Sequence, residues 1–421
     1  MERTPPEAPA RGPARAGASL AVLALCASIA LLSRGVGETF AIFLLPIARE
    51  FATDRASLTS IYSVYMLTLG FMSPVVGTVF DRFGPRACYG VGLATYALTC
   101  ALASRAATLW QLHALLGAGA AVGASMIGML PASSLASRWF GARLSTAMGI
   151  LSASLGSGIL VFAPIAQALI ERFGWRGAYL SLGAGLAAAT AAVLVLPWKR
   201  IAAGSPDSMR ARVLAVRRAD TWTIRRALGT RLFWALTGVM FFTSVSTYAV
   251  SVQLVAYLVE AGIAPLRAAS TYGLVGMVSI VGMVGAGMLA ERIGELRVAI
   301  ISYGATIAGT AALAAVAKGP QALALAAFVL LFGTMQGSRG PLVAVMCARH
   351  FAGGHQTGIY GAILVGMGAG GALGSWGSGA LYDLTGGYLG GFALSAAGAA
   401  CGLAIFASAP GLRGARRAAA Q

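Results

Sequence analysis

The sequence predicts an all-α membrane protein with twelve transmembrane helices in two six-helix bundles. Of its 421 residues, 58% are apolar and only 10% are charged, whereas soluble domains average about 25% charged residues. The apolar residues occur in runs of about twenty, the length that crosses the hydrocarbon core of a bilayer. The pattern of the first half of the chain also returns in the second half. These observations argue against a soluble protein with one large core.

Twelve apolar runs follow one another along the chain, and each is numbered as a span. Spans 1 to 6 cover residues 18–46, 57–79, 88–104, 108–137, 144–169 and 177–197. Spans 7 to 12 cover residues 232–258, 268–290, 297–317, 321–347, 356–381 and 388–409. The predicted domains are an N-terminal tail (1–17), a first bundle (18–197), a linker (198–231), a second bundle (232–409) and a C-terminal tail (410–421).

The distribution of basic residues predicts the orientation in the membrane. Of the 31 Lys and Arg residues, 22 lie on the side of the two termini and 7 on the opposite side, with Arg34 and Arg339 inside spans. Positive charge collects on the cytoplasmic side, so we expect both termini in the cytoplasm of a bacterial inner-membrane protein. This also accounts for the net charge of +18 without nucleic acid, since no basic helix carries interleaved aromatic residues.

An internal repeat relates the two halves at an offset of about 210 residues. The segment GTVFDRFGPR (77–86) returns as GMLAERIGEL (287–296). Further pairs are Tyr62 with Tyr272 at 210, the segments 137–140 and 348–351 at 211, and Glu171 and Gly174 with Asp383 and Gly386 at 212. Two bundles of the same topology, joined by one polar linker, follow from this pattern.

The segment GTVFDRFGPRACYG resembles the signature loop between helices 2 and 3 of the major facilitator superfamily, and the resemblance extends over nearly the whole chain. SRGVGETFAIFLLPIAREF, RFGWRGAYLSLG and GSRGPLVAVMCARHFAGG, with TGIYGAILVGMGAGGALG after it, are similar to the bacterial branch related to monocarboxylate porters and oxalate–formate antiporters. The resemblance implies alternating access, in which two halves rock about a central site.

The loop at 77–86 and its repeat are also a candidate conformational latch. Glycines permit close helix contact and a tight turn, and the charges can bind neighbouring helices in one state and release them in the other. The alternative is a static loop with solvated charges. The candidate residues are Gly77, Asp81, Arg82, Gly84, Arg86, Glu291 and Arg292.

Two charges inside span 1, Arg34 and Glu38, are the first candidates for function. A charge at mid-bilayer costs at least ~2.5–3.5 kcal/mol, so it is a functional candidate by default. Four residues apart on a helix, the two side chains share one face. Arg339 in span 10 comes from the other half, so we expect both arginines to face one central cavity. There they would bind a small organic anion, because guanidinium forms a fork with carboxylate. The alternative for either arginine is a structural role.

Glu38 is the only acidic residue within any span, and two interpretations of it stay open. As a proton carrier, its protonated form would release Arg34 to bind a substrate carboxylate, so that proton and anion load together. As a structural residue, it would be permanently paired with Arg34. The further candidates for substrate contact are polar or aromatic residues on the predicted path: Thr39, Tyr62, Tyr65, Tyr248, Gln253, Gln336, Tyr360 and Trp376.

The function expected is secondary active transport of a monocarboxylate-like anion, by proton coupling or anion exchange. A proton–drug antiporter is the near alternative, but GSGILVFAPIAQAL in span 5 lacks the complete glycine–proline pattern of that group. A membrane-embedded enzyme or a sensor is less well supported, because no nucleophile–base spacing and no further soluble domain is present. We expect a monomer in the lipid bilayer that needs no cofactor or metal.

Overall fold

The computed structural model describes residues 13–140, 144–204, 222–317, 321–351 and 356–409. Half of the predicted linker (205–221), residues 1–12 of the predicted N-terminal tail and the whole predicted C-terminal tail lie outside these residues. The helices are α1 (Pro13–Glu38), α2 (Phe40–Phe51), α3 (Arg55–Ala103), α4 (Leu109–Leu112), α5 (Ala120–Ile127), α6 (Met129–Trp139), α7 (Leu144–Val195), α8 (Trp198–Ala203), α9 (Ile224–Leu228), α10 (Arg231–Ser251), α11 (Leu254–Glu260), α12 (Pro265–Ile293), α13 (Glu295–Ala315), α14 (Gln321–Phe328), α15 (Thr334–Gln336), α16 (Arg339–His350), α17 (Gln356–Thr385) and α18 (Leu389–Ser408), with π-helical turns at His113–Gly119 and Val329–Gly333.

The long helices account for the predicted membrane spans. Within the described ranges, nine helical stretches are long and apolar enough to cross a membrane, and Gln321–Gln336 is a shorter apolar stretch. Two of the nine, α3 and α7, have 49 and 52 residues, and a straight helix of that size would be more than ~70 Å long. Each is divided by a glycine outside the helical region, Gly84 in α3 and Gly174 in α7. Each therefore supplies two spans, which is consistent with the predicted twelve.

The same backbone distortions occur in both halves of the chain. Gly84 has a φ of 79° and Gly294, 210 residues later, has a φ of 90°. Gly174 and Gly386, 212 residues apart, have φ values of 67° and 66°. Glycine adopts this left-handed region without steric cost, whereas other residues do not. Spans 4 and 10 also both contain a π-helical turn. The repeat found in the sequence is thus a repeat of backbone geometry.

Small residues bring the two halves into contact along two seams. In the first seam, spans 2 and 11 approach so closely that a Cβ at Gly368 would lie 2.6 Å from the Met66 carbonyl oxygen. In the second seam, spans 5 and 8 meet where a Cβ at Gly156 would lie 2.7 Å from the Gly276 carbonyl oxygen. Glycine at such positions lets helix backbones approach within a membrane. Both seams reach from the face predicted to be extracellular to about mid-span.

Candidate functional site

A bend in span 1 places Glu38 at the centre of the molecule. Helix α1 ends at Glu38, and α2 begins at Phe40. Between them the Thr39 hydroxyl donates to the Val36 carbonyl at 2.6 Å, so a side chain replaces part of the interrupted backbone ladder. Thr39, a predicted substrate contact, is buried, and its hydroxyl proton is used by the bend.

Arg34 and Glu38 form an ion pair on one face of α1. Arg34 Nε lies 2.8 Å from Glu38 Oε1, as the four-residue spacing predicts. The two side chains differ in their access to solvent, since Arg34 is 35% exposed and Glu38 only 5%. The Arg34 side chain is therefore partly accessible, while the carboxylate is enclosed by protein.

Three tyrosine hydroxyls complete the surroundings of the Glu38 carboxylate. Tyr62 and Tyr272 donate to Oε2 at 3.0 and 2.8 Å, and Tyr248 donates to Oε1 at 3.4 Å. With Arg34 Nε, four donors thus converge on two oxygens, a set suited to an ionised carboxylate, which only accepts. We name these five residues (Arg34, Glu38, Tyr62, Tyr248 and Tyr272) the central cluster.

The central cluster lies where the two repeats meet. Tyr62 and Tyr272 are repeat-related at an offset of 210, and both donate to the same oxygen of Glu38. Glu38 and Tyr248 are also 210 residues apart, so the acid faces its own counterpart from the other half. A side chain that contacts two repeat-related partners lies close to the axis that relates them. Tyr272 was not a predicted site residue, although its repeat relation to Tyr62 was a usable signal.

Tyr65 extends the cluster with an aromatic stack instead of a hydrogen bond to Glu38. Its ring lies 5.3 Å from that of Tyr62, which in turn lies 5.6 Å from the ring of Phe40. Beside them is a cavity of about 20 Å³, bordered by Gly37 and Tyr96, which is room for a single water molecule. A Cβ at Gly37 would lie 2.3 Å from the Tyr65 hydroxyl, so glycine is required for this packing.

The remaining predicted contacts lie away from Glu38 and have other partners. Gln253 donates from Nε2 to Ser378 Oγ at 3.1 Å, and its Oε1 is buried without a partner. Gln336 donates to Ser251 Oγ at 3.2 Å. Tyr360 packs against an apolar cluster of the second half, and Trp376 is about half exposed. None of the contacts described for these four residues reaches the central cluster.

Arg339 is not brought together with Arg34. It is 2% exposed and lies against span 9 in the second half. Its Nε donates to Ser302 Oγ, its Nη2 donates to the Ser302 carbonyl, both at 3.0 Å, and Nη2 also contacts Thr306 Oγ1. Its guanidinium carbon lies 4.1 Å from the centre of the Tyr303 ring. The expected pair of arginines in one solvent-filled cavity is therefore absent from this conformation of the described chain.

The candidate latch residues make no contact between the halves in the described structure. Arg86 Nη2 donates to the Leu194 carbonyl at 3.3 Å, within the first half. Arg82 lies over the neighbouring Phe83 ring, and Asp81 and Arg292 are exposed. Gly77 has no close neighbour across a helix interface, and Gly84 forms the turn. The side chain of Glu291 lies outside the description.

A charged contact that sequence analysis missed joins the halves on the face predicted to be extracellular. Arg55 pairs with Glu260 and lies over the Tyr382 ring at 5.0 Å. Asp383 accepts from the backbone nitrogens of Arg55 and Ala56 at 3.0 and 2.7 Å, capping the start of span 2. We name Arg55, Glu260, Tyr382 and Asp383 the outer clasp. Among the described residues, every hydrogen bond between the halves lies at this clasp, along spans 2 and 11, or at the central cluster.

Two repeat-related halves of long apolar helices that meet at a central ion pair are the architecture of a multi-pass membrane transporter. The model of the Major Facilitator Superfamily matches residues 23–375. The chain therefore belongs to the major facilitator superfamily.

Relatives and solved structures agree with this assignment. The chain is 27% identical to monocarboxylate transporter 13 of Bos taurus, over 89% of this chain and 85% of that one. It is 24% identical to the uncharacterized MFS-type transporter YcxA of Bacillus subtilis (strain 168), over 84% and 85%. A bacterial homologue of the human lysosomal transporter Spinster, solved in an inward-facing and unoccupied conformation, has the same fold, with a TM-score of 0.66 and 15% identity over 94% of this chain and 95% of that one.

Proposed function

We propose that this transporter carries a small, monocarboxylate-like organic anion across the bacterial inner membrane by alternating access. The central cluster is the observation that carries the proposal. Its donors are one guanidinium and three hydroxyls, all directed at a carboxylate that in this structure belongs to Glu38. The similarity to monocarboxylate transporter 13 supports the same substrate class.

The Glu38 carboxylate occupies the position that a substrate carboxylate would take. When Glu38 is ionised, the donors are engaged and a second carboxylate is repelled. When Glu38 is protonated, it accepts less well, and Arg34 with the tyrosine hydroxyls becomes available to the substrate. The Arg34 side chain is partly accessible, so we expect an anion to approach it before Glu38 has released it.

This competition couples the anion to a proton. Anion binding and Glu38 protonation favour each other. Protonation frees the donors for the anion, and a bound anion occupies the donors that otherwise stabilise the ionised form of Glu38. Exchange of one anion for another is the alternative cycle, in which Glu38 stays paired with Arg34 whenever the site holds no substrate. Both cycles use the same donors, and they differ only in whether Glu38 titrates.

The contacts between the halves support alternating access. The clasp and the cluster close the face predicted to be extracellular, so we assign this conformation as one closed toward the outside. Opening the outer face requires the bonds from Tyr248 and Tyr272 to Glu38 to break, because these tyrosines belong to the other half. Asp81, Arg82, Arg86, Glu291 and Arg292 are then the residues we expect to latch the cytoplasmic face.

The test uses the full-length protein in sealed proteoliposomes. A thermal-shift screen of small carboxylates first selects a ligand, because an anion that binds the folded state raises its apparent stability. Uptake of that anion is then measured with and without an inward proton gradient. We expect chemically unchanged anion to accumulate inside. Failure of every carboxylate in both assays, with uptake of a lipophilic cation instead, would contradict the proposal.

A further inference from the structure

Among the described residues, the buried guanidinium of Arg339 has no carboxylate as a counter-charge. The three ion pairs among the described residues are Arg34–Glu38, Arg55–Glu260 and Arg176–Glu50, and Arg339 belongs to none of them. Arginine cannot lose its proton in a protein, and an uncompensated buried charge is strongly destabilising. The face of the Tyr303 ring offsets only part of this cost.

The hydrogen bonds of Arg339 are also incomplete. A guanidinium has five N–H donors. Nε and Nη2 bond to Ser302 and Thr306, which accounts for three of them, while Nη1 is buried and has no partner. A buried donor without an acceptor is rare in a folded protein, so Nη1 indicates a position where an acceptor belongs.

The break in span 10 adds positive potential at the same place. The span is interrupted after α15, and Arg339 is the first residue of the 12-residue helix α16. The first backbone N–H groups of a helix lack partners within the helix and carry partial positive charge. The hydroxyls of Ser302 and Thr306 accept from the guanidinium and hold it in place. The Ser338 hydroxyl, 2.9 Å from that of Ser302, donates to the Met335 carbonyl.

We infer that Arg339, held in place by Ser302 and Thr306, forms with the start of α16 a binding site for one small monovalent inorganic anion within the second half. One negative charge neutralises the guanidinium and supplies the acceptor that Nη1 lacks. The site is separate from the central cluster, because its contacts all lie within spans 9 and 10. Bound there, the anion stabilises the broken span 10 against span 9.

The first experiment is a halide titration of the purified full-length protein. Apparent melting temperature is followed as chloride or bromide replaces gluconate at constant ionic strength. The inference predicts a saturable rise of about 2–4 °C, which is absent in Arg339→Gln and retained in Arg292→Gln, an exposed arginine of the same half. No saturable rise in the unmodified protein, or an equal rise in Arg339→Gln, overturns the inference.

A second variant keeps the test valid if Arg339→Gln does not fold. Thr306→Val retains the guanidinium and the side-chain shape but removes a hydroxyl of the site, so the halide midpoint should rise several-fold. An unchanged midpoint contradicts the site. Anomalous diffraction from bromide should place one ion beside Nη1, and bromide found only elsewhere contradicts it as well.

Small carboxylates distinguish this inference from the proposed function. Stabilisation by acetate or lactate should require Arg34 and persist in Arg339→Gln. If Arg339→Gln abolishes carboxylate stabilisation while halides have no effect, Arg339 belongs to the transport site and the inorganic-anion site is wrong. If carboxylates have no effect but halides act through Arg339, the proposed transport function fails and this site stands.

Discussion

The two arginines in the membrane lie in contrasting surroundings. Arg34 lies where the halves meet, pairs with an acid and is 35% exposed. Arg339 lies inside one half, contacts only neutral groups among the described residues, and is 2% exposed. When two halves rock as rigid bodies, contacts between them change and contacts within each persist. The charge at the interface is therefore the one that can switch, while the charge inside a half serves the packing of that half.

The largest effect should follow from removing the charge at the interface. Arg34→Gln leaves Glu38 buried without its counter-charge and removes the strongest donor for a substrate carboxylate. Allowing for the partial exposure of Arg34, the loss should be about 2–3 kcal/mol, or about 30- to 150-fold in uptake. Anion uptake by proteoliposomes measures this loss. Arg34→Lys keeps the charge but loses the two-pronged guanidinium contact, so its uptake should lie between those of the unmodified protein and Arg34→Gln. Uptake within twofold of the unmodified protein would remove Arg34 from the site.

Glu38→Gln should abolish the coupling of anion transport to the proton gradient. The amide cannot exchange a proton, so a proton gradient should no longer raise uptake, and we expect about a tenfold loss of gradient-driven accumulation. Anion exchange should continue, because the donors remain. Glu260→Gln, an acid of the outer clasp, is the matched control and should keep its response to the gradient. A Glu38→Gln protein with full proton-driven uptake would show that the pair with Arg34 is only structural.

Two tyrosines that donate to one oxygen allow a finer comparison. Tyr272 bonds Glu38 across the halves, whereas Tyr62 bonds it within one half. Loss of a hydrogen bond to a charged group is worth about 1.5 kcal/mol or more, roughly tenfold in an equilibrium. Tyr272→Phe should therefore shift the population toward an open outer face, and Tyr62→Phe should shift it much less. Distances between spin labels across the outer face measure this shift, and Tyr65→Phe is the control. Equal shifts in Tyr272→Phe and Tyr62→Phe would contradict the view that the bond between the halves holds the outer face closed.

The outer clasp should have the smallest effect. Glu260 is 37% exposed, and partly exposed ion pairs contribute about 1 kcal/mol or less. Arg55→Gln or Glu260→Gln should shift the same distances only a few-fold in population, and high salt should reduce the shift further. A clasp variant that opens the outer face more than Tyr272→Phe would mean that the clasp, not the central cluster, holds this conformation.

Local sequence patterns predicted the spans and one contact of the central cluster. The contacts that they did not predict depend on helix distortions and on packing between residues distant in the chain. The spans followed from apolar runs, and the Arg34–Glu38 contact from a four-residue spacing along one helix. The face of span 10 on which the Arg339 side chain lies could not be predicted in the same way. Span 10 contains a π-helical turn and a break at 337–338, and each inserted residue rotates the following side chains by about 100°. Tyr272 was missed because nothing near it in the chain indicates that it meets Glu38.

Proton uptake on anion binding tests the central claim most directly. Calorimetric titration of the purified protein with a transported carboxylate, repeated in buffers of different ionisation enthalpy at one pH, counts the protons taken up with each anion. If a substrate carboxylate replaces Glu38 at its donors, about one proton should be taken up per anion at a pH where Glu38 is ionised before binding and protonated after it. Glu38→Gln should bind with none. Tight binding by the unmodified protein without proton uptake would contradict the account.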